Sequence, residues 1–463
     1  MKFRFGTDGW RAIIADEFTF ANVRTVAQAI ALYMREKGTA VKGAIVGYDA
    51  RFLSPEFAQE VAEVLSDYGI NVFLPTRDVP TPAIAYSIKD LKTGGAVMIT
   101  ASHNPPIYSG IKFIPEYIHP ALPDVTDRIE ELIDDVLKGK GEAPGNIKGR
   151  IKRFDPFPAY KEQLAKVVDF PLLRTRPLHA IYDPLYASGR GFVDGILNEL
   201  GWKVEVLHGV RNPLFGELLP DPSEGNLIEL REKLKKKADI GLSTDGDADR
   251  FGIVDTGGEF ITPNEVFTIV LKYLFEERKE RGAIVRSIAT TNMLDALSKI
   301  YQLPLIEVPV GFKFVGKAMK EEDGLLGCEE SGGMTIKGHI PEKDGVLACL
   351  LMCEVRARWG VPFREVLERI KEEIGPFFFR RIDIPLEGRK EEILENFKKD
   401  ATSLAGLKVT DIISVDGVKL KFEDGSWLLL RPSGTEPVIR CYMETHSQEK
   451  LQELSEKIKQ MIK

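Results

Sequence analysis

Three carboxylates at alternate positions, Asp245, Asp247 and Asp249, occur in the run Asp245-Gly246-Asp247-Ala248-Asp249-Arg250. In an extended loop that spacing turns all three to one side, and the small Gly246 and Ala248 between them let the chain wrap an ion. Hard oxygen ligands of this kind suit Mg²⁺ or Ca²⁺. The run is not an EF-hand, whose sixth and twelfth positions are Gly and Glu; here they are Arg250 and Thr256. A solvated acidic turn is the plainer alternative. It sits poorly between the apolar stretches Ile240-Gly241-Leu242 and Phe251-Gly252-Ile253-Val254, because carboxylates beside buried strands need a counter-charge. A nucleophile candidate is Ser102, in Thr100-Ala101-Ser102-His103-Asn104-Pro105 directly after the apolar Ala96-Val97-Met98-Ile99. A strand that ends in a small, polar, Pro-closed loop presents a hydroxyl at a sheet edge. The same residues also favour an ordinary turn. His103 suits either a catalytic base or a hydrogen bond that stabilises the loop.

Two further segments share phosphate and sugar chemistry. Arg431-Pro432-Ser433-Gly434-Thr435-Glu436-Pro437, followed by Arg440, combines two guanidinium forks, two hydroxyls and a glycine. That set suits a phosphate dianion, with Arg bidentate and backbone N–H groups brought close at the glycine. A β-turn explains the Pro and Gly but not the two Arg and two hydroxyls together. Glu329-Glu330-Ser331-Gly332-Gly333 places adjacent carboxylates before a Gly-rich turn, where they can accept hydrogen bonds from sugar hydroxyls; a solvated loop is the default for this segment alone. Gly311-Phe312-Lys313-Phe314-Val315-Gly316-Lys317-Ala318 is close to a nucleotide P-loop. Ala318 stands where the hydroxyl that holds Mg²⁺ is required, and three bulky residues crowd the loop, so ATP binding is set aside. Lys313 is instead a candidate to meet a substrate phosphate or sugar oxygen. Gly189-Arg190-Gly191 lacks the third glycine of a dinucleotide fingerprint. His339 has no partner at metal-ligand spacing and reads as a hydrogen-bonding loop residue.

Alternating strand and helix patterns must position these loops. Ala44-Ile45-Val46-Gly47-Tyr48 reads as a buried strand. A helix from about Pro55 to Tyr68 follows, capped by Ser54, with Ala58, Val61, Ala62 and Leu65 as its apolar stripe. Asn71-Val72-Phe73-Leu74 is a second strand, and this order argues for α/β layers. The phrase recurs twice: Leu178 to Tyr182 leads into a helix through Leu200, and Gly282 to Arg286 leads into a helix from Met293 to Ile300. Gly and Pro clusters suggest linkers near 139–145, at Asp255-Thr256-Gly257-Gly258 and at Gly375-Pro376. The last part differs, with strands at 377–384, 419–422 and 427–430, a charged helix over about 390–400 and a closing helix through Leu451, Leu454 and Ile458. It reads as a small α+β domain.

At 463 residues the chain is too long for one ordinary core, and length alone suggests about three or four domains. A formal net charge of −7 argues against general nucleic-acid binding, which needs a basic face. No apolar run approaches the roughly 18 residues of a membrane span, and the start lacks the apolar core of a signal peptide. Cysteine is sparse: Cys328, Cys349, Cys353 and Cys441. Cys349 and Cys353 lie four apart in an apolar helix, as buried thiols do. No disulfide framework is implied, which fits a reducing cytoplasm.

The four segments, in their chain order and together with Phe5-Gly6-Thr7-Asp8-Gly9-Trp10-Arg11, resemble the α-D-phosphohexomutase superfamily over nearly the whole chain. The resemblance implies three similar α/β domains with mixed sheets plus a C-terminal α+β domain around a central cleft. The expected division is 1–148 with the phosphoserine loop, 149–255 with the metal loop, 256–375 with the sugar loop and 376–463 with the phosphate loop. It further implies that Ser102 carries a phosphoryl group and completes the shell of a Mg²⁺ on Asp245, Asp247 and Asp249. Glu329 and Ser331 would read the sugar, and Arg431, Ser433, Gly434 and Thr435 would hold phosphate. Lys112 matches a lysine of proton transfer, and Arg11 and Arg250 match basic residues near the transferred group. The activity implied is phosphoglucomutase, extending to mannose phosphates, with glucose 1,6-bisphosphate as activator and intermediate. Hexose phosphates are the expected partners, and the expected assembly is a monomer or homodimer. Two positions depart from the pattern and bear on sugar identity: Gly333 replaces a His of many members, and Arg286 falls where some have Lys. Phosphoglucosamine mutase, a phosphatase in which water replaces the sugar, and a catalytically inactive sugar-phosphate binding protein are the alternatives.

Overall fold

The computed structural model describes residues 3–6, 8–145, 148–385, 393–395, 397–398, 402–433 and 438–462, with the backbone alone for 236 and 237. Within these residues the chain forms three α/β domains with mixed sheets and a C-terminal antiparallel domain.

Each of the first three sheets repeats one device. Buried, near-continuous apolar strands pair in parallel at the centre, as expected where helices cover both faces, with a more exposed parallel strand beside them. An antiparallel hairpin then follows on one side. In the first sheet Val72–Pro75, Ala44–Tyr48 and Gly95–Ile99 run parallel, and Tyr108–Pro115 returns antiparallel along Gly95–Ile99. In the second, Lys203–Val206, His179–Asp183 and Ile240–Thr244 are parallel and Phe251–Asp255 returns. In the third, Leu305–Val308, Ala283–Ser287 and Gly324–Glu329 are parallel and Gly333–Ile336 returns. The Ser102, Asp245 and Glu329 segments are therefore the three equivalent hairpin connections. The C-terminal sheet is antiparallel throughout, and its hairpin Trp427–Pro432 to Val438–Thr445 carries the Arg431 segment. Leu451, Leu454 and Ile458 of the helix Gln448–Ile462 are buried in that domain's own core.

Several expectations need correction. Ser54 does not cap its helix; Leu53 precedes the helix in a left-handed conformation, and the Ser54 hydroxyl donates to Asp49 Oδ1 at 2.8 Å. Asp255–Gly258 is no linker, because Phe260–Ile261 pairs antiparallel with Phe251–Asp255 and closes the second sheet. Ile151–Phe154 pairs in parallel with Val72–Pro75 at the edge of the first sheet. The breaks expected at 148 and 255 thus fall before strands that belong to the preceding sheets. The strand Leu407–Ile413, unanticipated from sequence, extends the last sheet. Most of the charged helix expected over 390–400 lies outside the described residues.

One apolar core runs through parts of all three α/β domains, from Ile84 and Ile88 through Leu242 to Ile284 and Leu326. The helix Gly345–Trp359 is buried on nearly every side within it, as a helix without a polar face must be. Its Cys349 and Cys353, like Cys328 and Cys441, are buried free thiols, and burial pushes all four up. Among the described residues no helix is long and apolar enough to cross a membrane.

Candidate active site

Ser102 follows the buried strand Gly95–Ile99 and is itself 1 % exposed. Its backbone is left-handed, with φ 50°, an uncommon state for a residue with a side chain. The backbone N–H donates to Thr100 Oγ1 at 2.8 Å, and the hydroxyl donates to Asp245 Oδ2 at 2.8 Å. His103 Nδ1 lies 3.4 Å from the same hydroxyl. The Arg250 guanidinium, burial, and then Arg11, Lys112 and Arg51 hold the His103 imidazole well below its usual range, so the ring is neutral.

The metal loop meets the serine loop because residue 246 has no side chain: a Cβ there would stand 2.2 Å from the Ser102 carbonyl oxygen. Asp245, Asp247 and Asp249 are fully buried, with one oxygen from each within 4.8 Å of the others. Asp245 Oδ1 accepts the backbone N–H groups of Asp249 and Arg250 at 3.0 Å each. Asp247 Oδ2 accepts the Thr81 hydroxyl at 2.6 Å and Lys112 Nζ at 2.8 Å. The other oxygens, Asp247 Oδ1 and Asp249 Oδ1, are buried without a hydrogen-bond partner. Orphaned buried carboxylate oxygens are costly in isolation and are the donors a hard divalent cation takes. The residues therefore fit such an ion.

Cations surround this negative cluster. Lys112 Nζ lies 2.8 Å from Asp247, 3.0 Å from Asp249 and 2.9 Å from Asp8. Burial opposes its charge, and those three carboxylates more than offset that, holding its pKa well above the ordinary value. Burial likewise raises Asp245, with Asp247 and Asp249 adding to it. Arg11 Nη1 donates to Asn104 Oδ1 in the serine loop. Arg250 forms an isolated bridge with Gly333 of the sugar hairpin.

Lys343 is a site residue the sequence reading missed. Its Nζ lies 3.1 Å from Asp8 and 3.3 Å from Asp249, so it ties the third domain to the first two. A Cβ on Gly333 would stand 2.7 Å from Lys343 Cδ and 2.8 Å from Cγ. The glycine at 333 is thus the space through which the lysine stem passes. Asp344, next in the chain, caps the helix Gly345–Trp359 by accepting the Leu347 N–H at 2.8 Å, and it also accepts the Tyr160 hydroxyl. His339 Nε2 sits 2.8 Å from Asp344, in the hydrogen-bonding role expected of it. The Gly345 N–H meets the Ala248 carbonyl at 3.1 Å, which holds Lys343 against the metal loop. Asp8 and Thr81 were missed for the same reason: their partners lie far along the chain. Asp8 stood in view in the N-terminal run, but without a pattern to mark it.

In the sugar hairpin Glu329 Oε1 accepts the Gly311 N–H at 2.9 Å. Burial raises its carboxyl, against the pull of Lys343, Arg250 and Arg431. Glu330 turns instead to the last domain, 3.8 Å from Arg381, and Ser331 is half-buried in the turn. Lys313 lies in the first turn of the helix Phe312–Glu321, which starts one residue after Gly311 and leaves no loop to cradle a nucleotide. Burial lowers its pKa, Asp8 opposing. In the phosphate hairpin Arg431 and Arg440 are cross-strand partners on one face. Arg431 Nε donates to Asp416 Oδ2 at 2.8 Å, and the same oxygen accepts the Val310 N–H at 3.0 Å, beside Gly311. The Ser433 N–H closes the hairpin on Val438 at 3.0 Å. Gly434 and Thr435 lie outside the described residues. Arg286, expected to bear on sugar identity, is buried with its donors on Asp295 at 2.8 Å and Glu307 at 2.7 Å, beside Lys419 of the last domain.

All four segments of the chain match family models. Residues 2–139, 158–258 and 262–373 match phosphoglucomutase/phosphomannomutase alpha/beta/alpha domains I, II and III, and 387–461 match the C-terminal domain. A phosphoglucomutase/phosphomannomutase of Thermococcus kodakarensis is 30% identical over 98% of this chain and 96% of its own. The chain belongs to the phosphoglucomutase/phosphomannomutase family. It is an enzyme of the phosphohexomutase type, an isomerase of the α-D-phosphohexomutase superfamily. A phosphoglucosamine/phosphogalactosamine mutase of Sulfurisphaera tokodaii is 27% identical over 99% of this chain and 98% of its own. A solved structure from Thermus thermophilus, provisionally described as a phosphomannomutase, superposes with TM-score 0.87 at 32% identity, covering 100% of this chain and 99% of that one.

Proposed function

We propose that the enzyme interconverts the 1- and 6-phosphates of glucose, extending to mannose, through a phosphoserine at Ser102 and a bound 1,6-bisphosphate. The observation that carries this reading is the Ser102 hydroxyl, 2.8 Å from Asp245 and beside the buried, unpartnered oxygens of Asp247 and Asp249. Mg²⁺, held by Asp245, Asp247 and Asp249 with the phosphoserine, supplies Lewis-acid withdrawal of charge from the transferring group. Lys112, Arg11 and Arg250 add positive field around the transferring oxygens. In each half-reaction the bond between phosphorus and Ser102 Oγ breaks as a sugar hydroxyl oxygen bonds to phosphorus, or the reverse. The proton of the attacking hydroxyl passes to neutral His103 and returns to the departing oxygen. Neutral His103 is placed to exchange a proton with Ser102 Oγ. Lys112 and Lys343, ammonium groups held on Asp8, Asp247 and Asp249, would supply positive charge and N–H donors beside the transferring group. Arg431, Ser433, Gly434, Thr435 and Arg440 hold the phosphate that is not reacting, Lys313 reaches a phosphate or sugar oxygen, and Glu329 and Ser331 read hydroxyls. Glucosamine phosphate is a second reading of the same machinery, favoured by the Sulfurisphaera relative's name.

The test is 1-phosphate to 6-phosphate conversion of glucose, mannose and glucosamine, with Mg²⁺ and a trace of the matching bisphosphate. Glucose is expected to lead. Ser102→Ala is expected to lower turnover by more than about a thousandfold while sugar-phosphate binding persists. Normal turnover by that variant refutes the phosphoserine, and inorganic phosphate released faster than isomer forms marks a phosphatase.

A further inference from the structure

Arg51 is completely buried, yet it lies outside the groups assigned above. A guanidinium has five N–H donors in a fixed fork, and here each finds an acceptor. Nε donates to Asp49 Oδ2 at 3.0 Å. Nη1 donates to the Pro105 and Tyr108 carbonyls at 2.8 and 3.0 Å. Nη2 donates to the Ser102 and Asn104 carbonyls at 2.7 and 2.6 Å. Three of the five acceptors are main-chain oxygens of the serine loop, one of them Ser102's own, and a fourth is the carbonyl of Tyr108, where the strand Tyr108–Pro115 begins. The other side of the serine is held as well, since its N–H is bound to Thr100 Oγ1. A residue with a side chain persists in the left-handed region only where its surroundings over-determine it. The guanidinium also lies 5.1 Å over the Phe215 ring, and the Arg51 carbonyl accepts Arg211 Nη2 at 2.9 Å. Phe215 and Arg211 belong to the second domain, which carries the metal loop.

We infer that Arg51 is a positioning residue for phosphoryl transfer: it gathers the carbonyls of the serine loop, fixes Ser102 in the conformation that aims Oγ at Asp245, and registers that loop on the second domain through Phe215 and Arg211. The inference rests on the phosphoserine reading. Lysine cannot take the place of the fork, because its three donors radiate from one nitrogen and cannot reach acceptors arranged around a plane.

The experiment compares wild type, Arg51→Lys, Arg51→Ala and Phe215→Leu, with thermal unfolding as the check on folding. Phosphoryl transfer from labelled glucose 1,6-bisphosphate to Ser102 is followed directly, beside steady-state turnover and calorimetric Mg²⁺ binding. Arg51→Lys and Arg51→Ala are expected to lose about a hundredfold in kcat, the scale of a misplacement near 1 Å. KM for hexose phosphate and Mg²⁺ affinity should stay within about twofold. Millimolar guanidinium should restore part of the Arg51→Ala turnover, and the variants should lose a larger share of their phosphoserine to water than wild type does. Phe215→Leu, which leaves the carbonyl bonds in place, should lose about three- to tenfold in kcat with the same KM and keeps the test alive if Arg51→Ala does not fold. Arg51 variants within about threefold of wild type overturn the inference, as does a loss that follows KM and melting temperature and ignores guanidinium. Wild type that never labels Ser102 overturns the phosphoserine reading, and the inference with it. Labelled wild type beside unaffected variants overturns the inference alone.

Discussion

The serine loop of the first domain and the strands Trp427–Pro432 and Val438–Thr445 of the last are tied into the molecule in different ways. The serine loop is held from every side: Arg51 and Thr100 fix its backbone, Asp245 takes its hydroxyl, and Gly246 of the next domain packs on its carbonyl. It sits between domains that share one apolar core. The phosphate hairpin belongs to a domain with a core of its own. That domain touches the third through a small apolar cluster of Ile288, Ala289, Trp427, Leu429 and Tyr442, beside the buried Arg286–Glu307–Lys419 ion cluster. Bond exchange at phosphorus tolerates little misplacement, whereas gripping a distant phosphate is an electrostatic task with wider tolerance. On the proposed phosphoserine mechanism, the close packing across domains falls at the end of the site where bonds would change.

Three substitutions sharpen or break that contrast. The largest effect is expected from Gly246→Val, whose side chain meets backbone at Ser102 and must part the two loops. Turnover should fall by more than about a hundredfold with little change in KM, and steady-state kinetics read it; a pure KM effect would show that the loops do not need their close approach. Next, Arg431→Ala should raise KM for hexose phosphate by about ten- to a hundredfold, with a smaller loss in kcat. An equal loss in kcat and kcat/KM would place Arg431 at the reacting phosphate instead. The smallest concerns Lys419, whose Nζ is pushed down to about 8, chiefly by burial and then by Arg286, from an ordinary 10.5. Below about pH 8 the folded chain carries this ammonium at a cost the unfolded chain does not bear. Between about 8 and 10.5 the folded group is neutral while the unfolded one still holds its proton, so the unfolded state binds more protons and stability rises with pH. Lys419→Met should remove that rise, read as the difference in melting temperature between variant and wild type across the window. An unchanged difference at all pH values would show that Lys419 does not titrate there.

What the sequence revealed follows from how the site is distributed. Ser102, the Asp245 loop, the Glu329 loop and the Arg431 loop each pack their chemistry into a few consecutive residues, because each is one hairpin connection. Those were legible, as were the strand–helix phrases behind them. Lys343, Asp8 and Thr81 were not, because their roles arise only when separate domains close on one another; nor was Arg51, whose carbonyl partners lie 51 to 57 residues further along the chain within its own domain. The Ser54 hydroxyl had a better partner in Asp49 than a helix end, and Asp255–Gly258 carried turn residues for a hairpin, which linkers also favour. The partners of Arg286 were not legible, because position along the chain says nothing about whether Asp295 and Glu307 claim its donors.

The lysine stem that runs past Gly333 bears on how this chain can change by descent. The space at 333 and the side chain at 343 constrain one another. A side chain gained at 333 would press on the stem of Lys343, whose ammonium is held on Asp8 and Asp249. A histidine would enter the sugar loop with least disturbance together with a change at 343.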